Sequence, residues 1–222
     1  MRAPAVLAFD VNETLLDLSH LDGPIERALG DAALRPVWFG LMLQVAFTDT
    51  ITGKYVDFSA AQRAALGMLA RREGVDFDEQ AAGAVLQGMR ELPAHEDVPH
   101  GLERFDEAGI RLLALTNSPL EVVREQLANA GIASLFELVV SADEASQLKP
   151  GRRPYELVAY RAGVELGEVM LVAAHHWDVS GALAAGTRAA FVARPGMVVS
   201  PIGAQPEVVV SDLGELATLV TG

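Results

Sequence analysis

Cysteine is absent from the 222 residues. That excludes disulfides, thiolate metal centres and a cysteine nucleophile, and it gives no sign of an oxidising compartment. Basic residues are scarce: 17 Lys and Arg stand against 30 Asp and Glu, for a net charge of −13. Such a field repels phosphate backbones and anionic lipid surfaces, so neither nucleic acid nor a membrane is an expected partner. An anionic small substrate would need local positive groups, which makes any Lys, Arg or His near a site informative. No apolar run is long enough to span a bilayer. Internal repeats, low-complexity tracts and charge blocks are also lacking. The start, Met1-Arg2-Ala3-Pro4, runs straight into an apolar stretch without the successive sections of a signal peptide, and the expectation is a cytoplasmic protein.

What is present is a globular composition, half hydrophobic and about a fifth charged, at a length suited to one α/β domain with an insert. Residues 5–9 (Ala-Val-Leu-Ala-Phe) form a continuous apolar run of the kind that a parallel strand needs when it is buried on both faces. Similar runs recur at 111–115, 137–141, 169–173, 189–193 and 208–211. Between them lie helical patterns at 119–130 (with Ser118 as N-cap), 154–162, 179–185 and from 213 onward. The alternation predicts an α/β fold, a doubly wound and mostly parallel Rossmann-like sheet. Residues 16–93 differ, because they lack strand runs and show helical spacing, as in 58–70 and 81–89. They read as a helical cap domain inserted after the first strand, over a core made of residues 1–15 and 94–222.

The segment Phe9-Asp10-Val11-Asn12-Glu13-Thr14 places an acid where a buried strand ends. Asp10 could cap a loop there or serve a site, since open α/β sheets bind ligands outside their strand ends. Three further strand ends bear polar groups: Thr116-Asn117-Ser118, Lys149-Pro150 and His175-His176-Trp177-Asp178. This order of an aspartate-led loop, a hydroxyl residue, a lysine and a late acidic loop resembles the haloacid dehalogenase (HAD) superfamily over nearly the whole chain. Lys149-Pro150 with Tyr155, Trp177-Asp178 leading into Gly181-Ala182, and the segment from Trp38 to Tyr55-Val56-Asp57-Phe58 are similar to the type II 2-haloacid dehalogenases.

The resemblance implies a hydrolase with Asp10 as covalent nucleophile, chemically able to attack an sp³ carbon or phosphorus and form an ester or acyl phosphate that water cleaves. It makes Thr14 the holder of the loop, Lys149 the cation that keeps Asp10 ionised, and Asp178 the residue that orients water or Lys149. Thr116 and Asn117 become donors to a substrate carboxylate or departing halide, and Tyr155 packs or bonds near Lys149. His175 stands where related dehalogenases have an amide. Because adjacent residues project differently, at most one of His175 and His176 should face the site, and His175 is the better placed. A homodimer through the helical insert is also implied.

Two departures bear on the reaction. The superfamily's phosphatases carry an Asp two residues after the nucleophile as proton carrier, and here Asn12 cannot exchange a proton. Type II dehalogenases usually follow the cap Trp with Arg, whereas Phe39 follows Trp38. A ring can line a pocket for a carbon skeleton but cannot neutralise charge; Arg35 lies nearby in sequence as a candidate substitute. The leading expectation is cofactor-independent hydrolysis of a small 2-haloacid through an aspartyl ester, with no metal. The alternatives are a Mg²⁺-dependent phosphatase acting on a small phosphate ester, and an inactive HAD-fold binding protein.

Overall fold

A computed structural model describes residues 3–222; Met1 and Arg2, part of the signal-peptide reading, lie outside them. Among the described residues six parallel strands form one sheet in the order β3-β2-β1-β4-β5-β6: β1 (Val6–Phe9), β2 (Arg111–Thr116), β3 (Leu138–Ser141), β4 (Val169–Ala173), β5 (Arg188–Val192) and β6 (Val208–Val210). All six expected runs are strands, with no boundary moved by more than one residue. The chain builds leftward from β1 through β2 and β3, then returns to the other side of β1 with β4. The crevice of such a sheet opens where that reversal falls, between β1 and β4. Phe9 lies opposite Ala114 on one side and Val172 on the other, so the residues after β1, β2 and β4 emerge side by side.

Side-chain alternation divides β1 between two cores. Leu7 and Phe9 face one layer, which includes Phe105, Leu127 and Leu216; Val6 and Ala8 face Val158, Val179 and Ala182 on the other. This is why the strands read as unbroken apolar runs rather than as alternating ones. Phe9 is also wedged against Phe105 and Phe136, at centroid distances of 5.9 and 6.1 Å.

Between β1 and β2 lie five helices: α1 (Asp22–Leu29), α2 (Arg35–Thr52), α3 (Phe58–Glu73), α4 (Glu79–Gly88) and α5 (Val98–Glu107). This helical segment leaves the sheet and returns to it through a narrow neck, where Leu16 bridges Ala94, Asp17 N–H donates to Pro93 O and His95 N–H donates to Leu15 O. Its interior packs Trp38, Met42, Leu66 and Leu69, all fully buried, and the Trp38 indole donates to Gln62 O at 3.0 Å, tying α2 to α3. Helix α5 was not read from the sequence; its short amphipathic pattern follows directly on the end of the insert.

The remaining helices are α6 (Leu120–Asn129), α7 (Arg152–Ala162), α8 (His176–Ala185) and α9 (Leu213–Thr221). Three local expectations are corrected. Ser118 does not cap α6, which starts after Pro119 without a side-chain cap; its hydroxyl instead accepts from Asn12 Nδ2 at 3.2 Å. Helix α7 starts two residues before Pro154, since the first turn of a helix tolerates proline. Helix α8 begins at His176 and not at Val179, so Asp178 sits inside its first turn. No helix among the described residues is long and apolar enough to cross a membrane.

Candidate active site

Asp10 is the first residue beyond β1, with its backbone N–H bonded to Val172 O at 3.0 Å. Its carboxylate is almost fully enclosed and has three donors. Oδ1 accepts from Lys149 Nζ at 2.9 Å, while Oδ2 accepts from the Thr14 hydroxyl at 2.7 Å and lies 3.1 Å from His175 Nδ1. Thr14 is held in turn by Ala174 N–H, which donates to its Oγ1 at 2.9 Å. The first loop is thereby fastened to the end of β4.

Lys149 is the largest surprise relative to composition, because a lysine before proline is ordinarily a solvated loop residue. Here its side chain is 0% exposed, and its three N–H donors are fully used by Asp10 Oδ1, Leu115 O at 3.0 Å and Asp178 Oδ2 at 2.5 Å. Asn117 fixes its backbone: Lys149 N–H donates to Asn117 Oδ1 at 2.7 Å, and Asn117 Nδ2 donates to Lys149 O at 3.2 Å. Thr116 Oγ1 accepts from Ser118 N–H at 3.1 Å. Tyr155 reaches across from α7 to donate to Asp178 Oδ1 at 2.5 Å. Both oxygens of Asp178 are therefore occupied.

Burial works against every charge in this cluster, and the partners decide the outcome. For Asp10 the desolvation is outweighed by Lys149 and by the hydrogen bond from His175, which hold its carboxyl far below the usual range. Asp178 moves the other way, because burial and repulsion from Asp10 prevail over Lys149. Lys149 is raised, since the two carboxylates overcome its desolvation. Burial together with Asp178 pushes Tyr155 well up, so it remains a phenol and a donor.

His175 is buried and His176 is exposed, so His175 is the one of the pair that turns toward Asp10. Its Nε2 lies 2.8 Å from Glu13 Oε2. Despite desolvation, the hydrogen bonds to Asp10 and Glu13 raise its pKa to about 9, so the ring is an imidazolium at neutral pH. Phe39 stacks on one side with centroids 5.6 Å apart, and Trp177 on the other at 5.1 Å. Phe39 thus meets the site as a ring against a ring. Arg35 does not reach Asp10; it bonds Asp22 at 2.6 Å and approaches Glu13 at 3.8 Å.

The cavity over Asp10 is lined by Asn12, Phe39, Leu43, Phe58, Thr116, Asn117, Lys149, His175 and Trp177. Its volume is about 10 Å³, room for roughly one water molecule. Asn12 is not free to act there, since its amide donates to Ser118 and accepts from Gln126 Nε2 at 3.0 Å. No three His, Asp or Glu side chains among the described residues are grouped as a metal set. The ammonium of Lys149 fills the gap between the Asp10 and Asp178 carboxylates, a donor arrangement that does not fit a divalent ion.

Two participants were missed in the sequence. Glu13 has the left-handed backbone of φ 63°, uncommon for a residue with a side chain, and this turn directs its carboxylate to His175. Trp177 lines the cavity with an indole N–H that has no partner among the described residues. Nothing in the sequence marked Glu13, because acids in loops are common; Trp177 was legible only as part of a motif.

A doubly wound sheet that gathers a carboxylate, a hydroxyl, a lysine and a second carboxylate from four strand-end loops is the framework of a hydrolase of the Rossmann-like α/β class. The chain belongs to the haloacid dehalogenase-like hydrolases, whose family model matches residues 4–186. It is similar to haloacetate dehalogenase H-2 of Moraxella sp. (strain B), 26% identical with 99% of each chain covered. It is also similar to the (S)-2-haloacid dehalogenase of Pseudomonas sp. (strain YL), 25% identical over 96% of this chain and 93% of the relative. The L-2-haloacid dehalogenase of Xanthobacter autotrophicus, solved with chloropropionic acid covalently bound, superposes with a TM-score of 0.91 at 27% identity, covering 99% of both chains.

Proposed function

We propose that this chain hydrolyses the carbon–halogen bond of a small 2-haloacid without a cofactor. The observation that carries the reading is Asp10, kept ionised by Lys149 and His175 at the wall of a nearly closed, water-sized cavity. In the first step the Asp10 carboxylate displaces the halide at C2 and forms an ester. In the second, water adds to the ester carbonyl and the 2-hydroxy acid leaves, with a water proton passing toward the Asp178–Lys149 pair. Its similarity to a haloacetate dehalogenase and an (S)-2-haloacid dehalogenase supports the substrate class.

Site roles follow from the contacts. Thr14 and Lys149 position and charge-balance Asp10; Asn117 and Tyr155 position Lys149 and Asp178. The indole N–H of Trp177, without a partner among the described residues, is a donor available to the departing halide. Residues 16–93 serve as a cap over a core of residues 1–15 and 94–222, a division supported by the neck at Leu16 and Ala94 and by the contribution of Phe39, Leu43 and Phe58 to the cavity wall. A cavity this small favours the shortest acids. The phosphatase reading lacks a proton carrier, since Asn12 is an amide tied to Ser118 and Gln126.

The test is one panel: chloroacetate, fluoroacetate, (S)-2-chloropropionate and p-nitrophenyl phosphate, with and without Mg²⁺, followed by halide, hydroxy-acid and phosphate assays. Halide release that is independent of chelator and abolished in Asp10→Asn is expected. Phosphate release that requires Mg²⁺, or halide release undiminished in Asp10→Asn, would overturn the proposal.

A further inference from the structure

The two oxygens of Asp10 are not equivalent. A carboxylate offers about four lone-pair sites, two on each oxygen. Oδ2 has both occupied, by the Thr14 hydroxyl and by His175 Nδ1. Oδ1 has one occupied, by Lys149, and keeps one. The oxygen with a free lone pair is the one able to attack carbon, so Oδ1 becomes the ester oxygen and Oδ2 remains as the carbonyl oxygen. Its two donors are then already in place.

From this we infer that Thr14 and the His175 imidazolium form an oxyanion hole for Oδ2 in the ester-hydrolysis step, with Glu13 as the positioning residue that keeps His175 charged. The inference rests on the dehalogenase reading above and deepens it. Water adds to Asp10 Cγ, its proton going to Asp178, and the carbonyl π pair moves to Oδ2. The distances from Oδ2 to its donors, 2.7 and 3.1 Å, are those of donors aimed at a developing oxyanion. Collapse restores the Cγ–Oδ2 double bond and breaks Cγ–Oδ1. The leaving alkoxide takes back one proton, and Asp10 returns as carboxylate after releasing the other to solvent.

His175 is suited to this and not to being the base. Both ring nitrogens face carboxylates, Asp10 from the end of β1 and Glu13 from the loop that follows, so the ring is built to hold two protons. The other charges nearby act through these two: Lys149 and, beyond it, Asp178 through Asp10, and Arg35 through Glu13. From α2 Phe39 stacks on the ring, and from α8 Trp177 does, and neither titrates near neutrality. Esterification removes the Asp10 charge and leaves Glu13 as the anion that retains the proton.

The test separates the two chemical steps with chloroacetate as probe. Wild type, His175→Gln and Glu13→Gln, each checked for folding by circular dichroism, are mixed with excess substrate while chloride and glycolate are timed separately. In His175→Gln the expected result is a chloride burst of one per protein within about tenfold of the wild-type rate, followed by glycolate formation slowed about 10²–10³-fold. Mass spectrometry should then find the ester on Asp10. In wild type, glycolate formation should fall as alkaline pH removes the His175 proton, and in Glu13→Gln that fall should move to lower pH. A burst lost in parallel with turnover, an ester that never accumulates, or glycolate formation that rises with pH through the same range would overturn the inference. Absence of any chloride release from wild type would sink the dehalogenase reading itself, and this inference with it.

Discussion

Tyr155 and Asp178, one on α7 and the other in the first turn of α8, share a hydroxyl-to-carboxylate hydrogen bond of 2.5 Å beyond the reach of solvent. The second oxygen of Asp178 is held by Lys149. Removing the hydroxyl in Tyr155→Phe leaves a buried charged acceptor without its donor, which should cost about 1–3 kcal/mol. Urea denaturation should show the loss as a lower midpoint with an unchanged slope. Stability within 0.5 kcal/mol of wild type, taken as about the spread of ordinary surface substitutions, would contradict the pairing.

Lys149 has two carboxylates to balance, and Lys149→Met withdraws the charge from both at once. A buried pair broken on one side costs about 3–5 kcal/mol. Asp10 and Asp178 would then have carboxyls raised by burial, so the variant should lose least stability at low pH, where both bury as neutral acids, and most as pH rises through their raised values. Halide release should fall to the level of Asp10→Asn. A deficit that stays constant with pH would mean that packing, and not charge, is the function of the Lys149 side chain.

The architecture was legible because burial on both faces leaves an unambiguous mark: six apolar runs became six strands, and the first ended just before Asp10. Lys149 was legible only through the order of motifs, since its burial depends on Asp10 and Asp178, which lie 139 and 29 residues away in sequence. Glu13 was not legible. Its importance arises from a left-handed turn and a histidine 162 residues later, and neither leaves a local pattern. Ser118 looked like a cap because a serine before a helix usually is one; tertiary pairing with Asn12 took its hydroxyl instead. Phe39 lines the cavity, but its stacking on His175 could not be foreseen from either position alone.

Helix α8 approaches the Lys149-Pro150 loop so closely that only glycine fits at position 181. A methyl added there would come within 2.6 Å of Pro150 Cβ and 2.7 Å of both Pro150 O and the Tyr155 hydroxyl. Gly181→Ala should therefore destabilise by about 1–3 kcal/mol and also reduce turnover, because the residues displaced are those that position Lys149 and Asp178. Gly101→Ala provides the comparison. Its methyl would strike Leu213 Cβ at 2.4 Å, between α5 and α9 and away from the cavity. It should lower the melting temperature with little change in kcat/KM at a temperature where the variant remains folded.

The proton on His175 links stability to pH. Its folded pKa of about 9 exceeds the ordinary 6.5. Below pH 6.5 both folded and unfolded chains carry the proton, and the stabilisation is fully present. Between 6.5 and about 9 the folded chain keeps a proton that the unfolded chain has released, so stability declines with rising pH and the contribution is gone above that range. The contribution is about 3 kcal/mol at most. Melting curves of wild type and His175→Gln should therefore converge as pH rises through this window. A gap that does not narrow would place the proton elsewhere.

Phe39 offers the sharpest choice between two views of the site. If it merely marks a missing cation, then Phe39→Arg should improve the enzyme by restoring charge next to the substrate. The geometry argues the opposite. Phe39 covers one face of an imidazolium, with ring planes 18° apart, in a cavity with room for about one water molecule. A guanidinium in that place would meet His175 as like charge in a low-dielectric setting, compete for Glu13 with both His175 and Arg35, and lower the pH at which His175 loses its proton. The expected result is a fall of at least about tenfold in chloroacetate turnover at neutral pH, equivalent to 1.4 kcal/mol, with part of the activity regained at lower pH as His175 is reprotonated. Phe39→Leu keeps the pocket apolar and loses only the stacking, so it should retain most of the activity. An Arg variant faster than wild type would show that His175 does not supply the positive charge of this site.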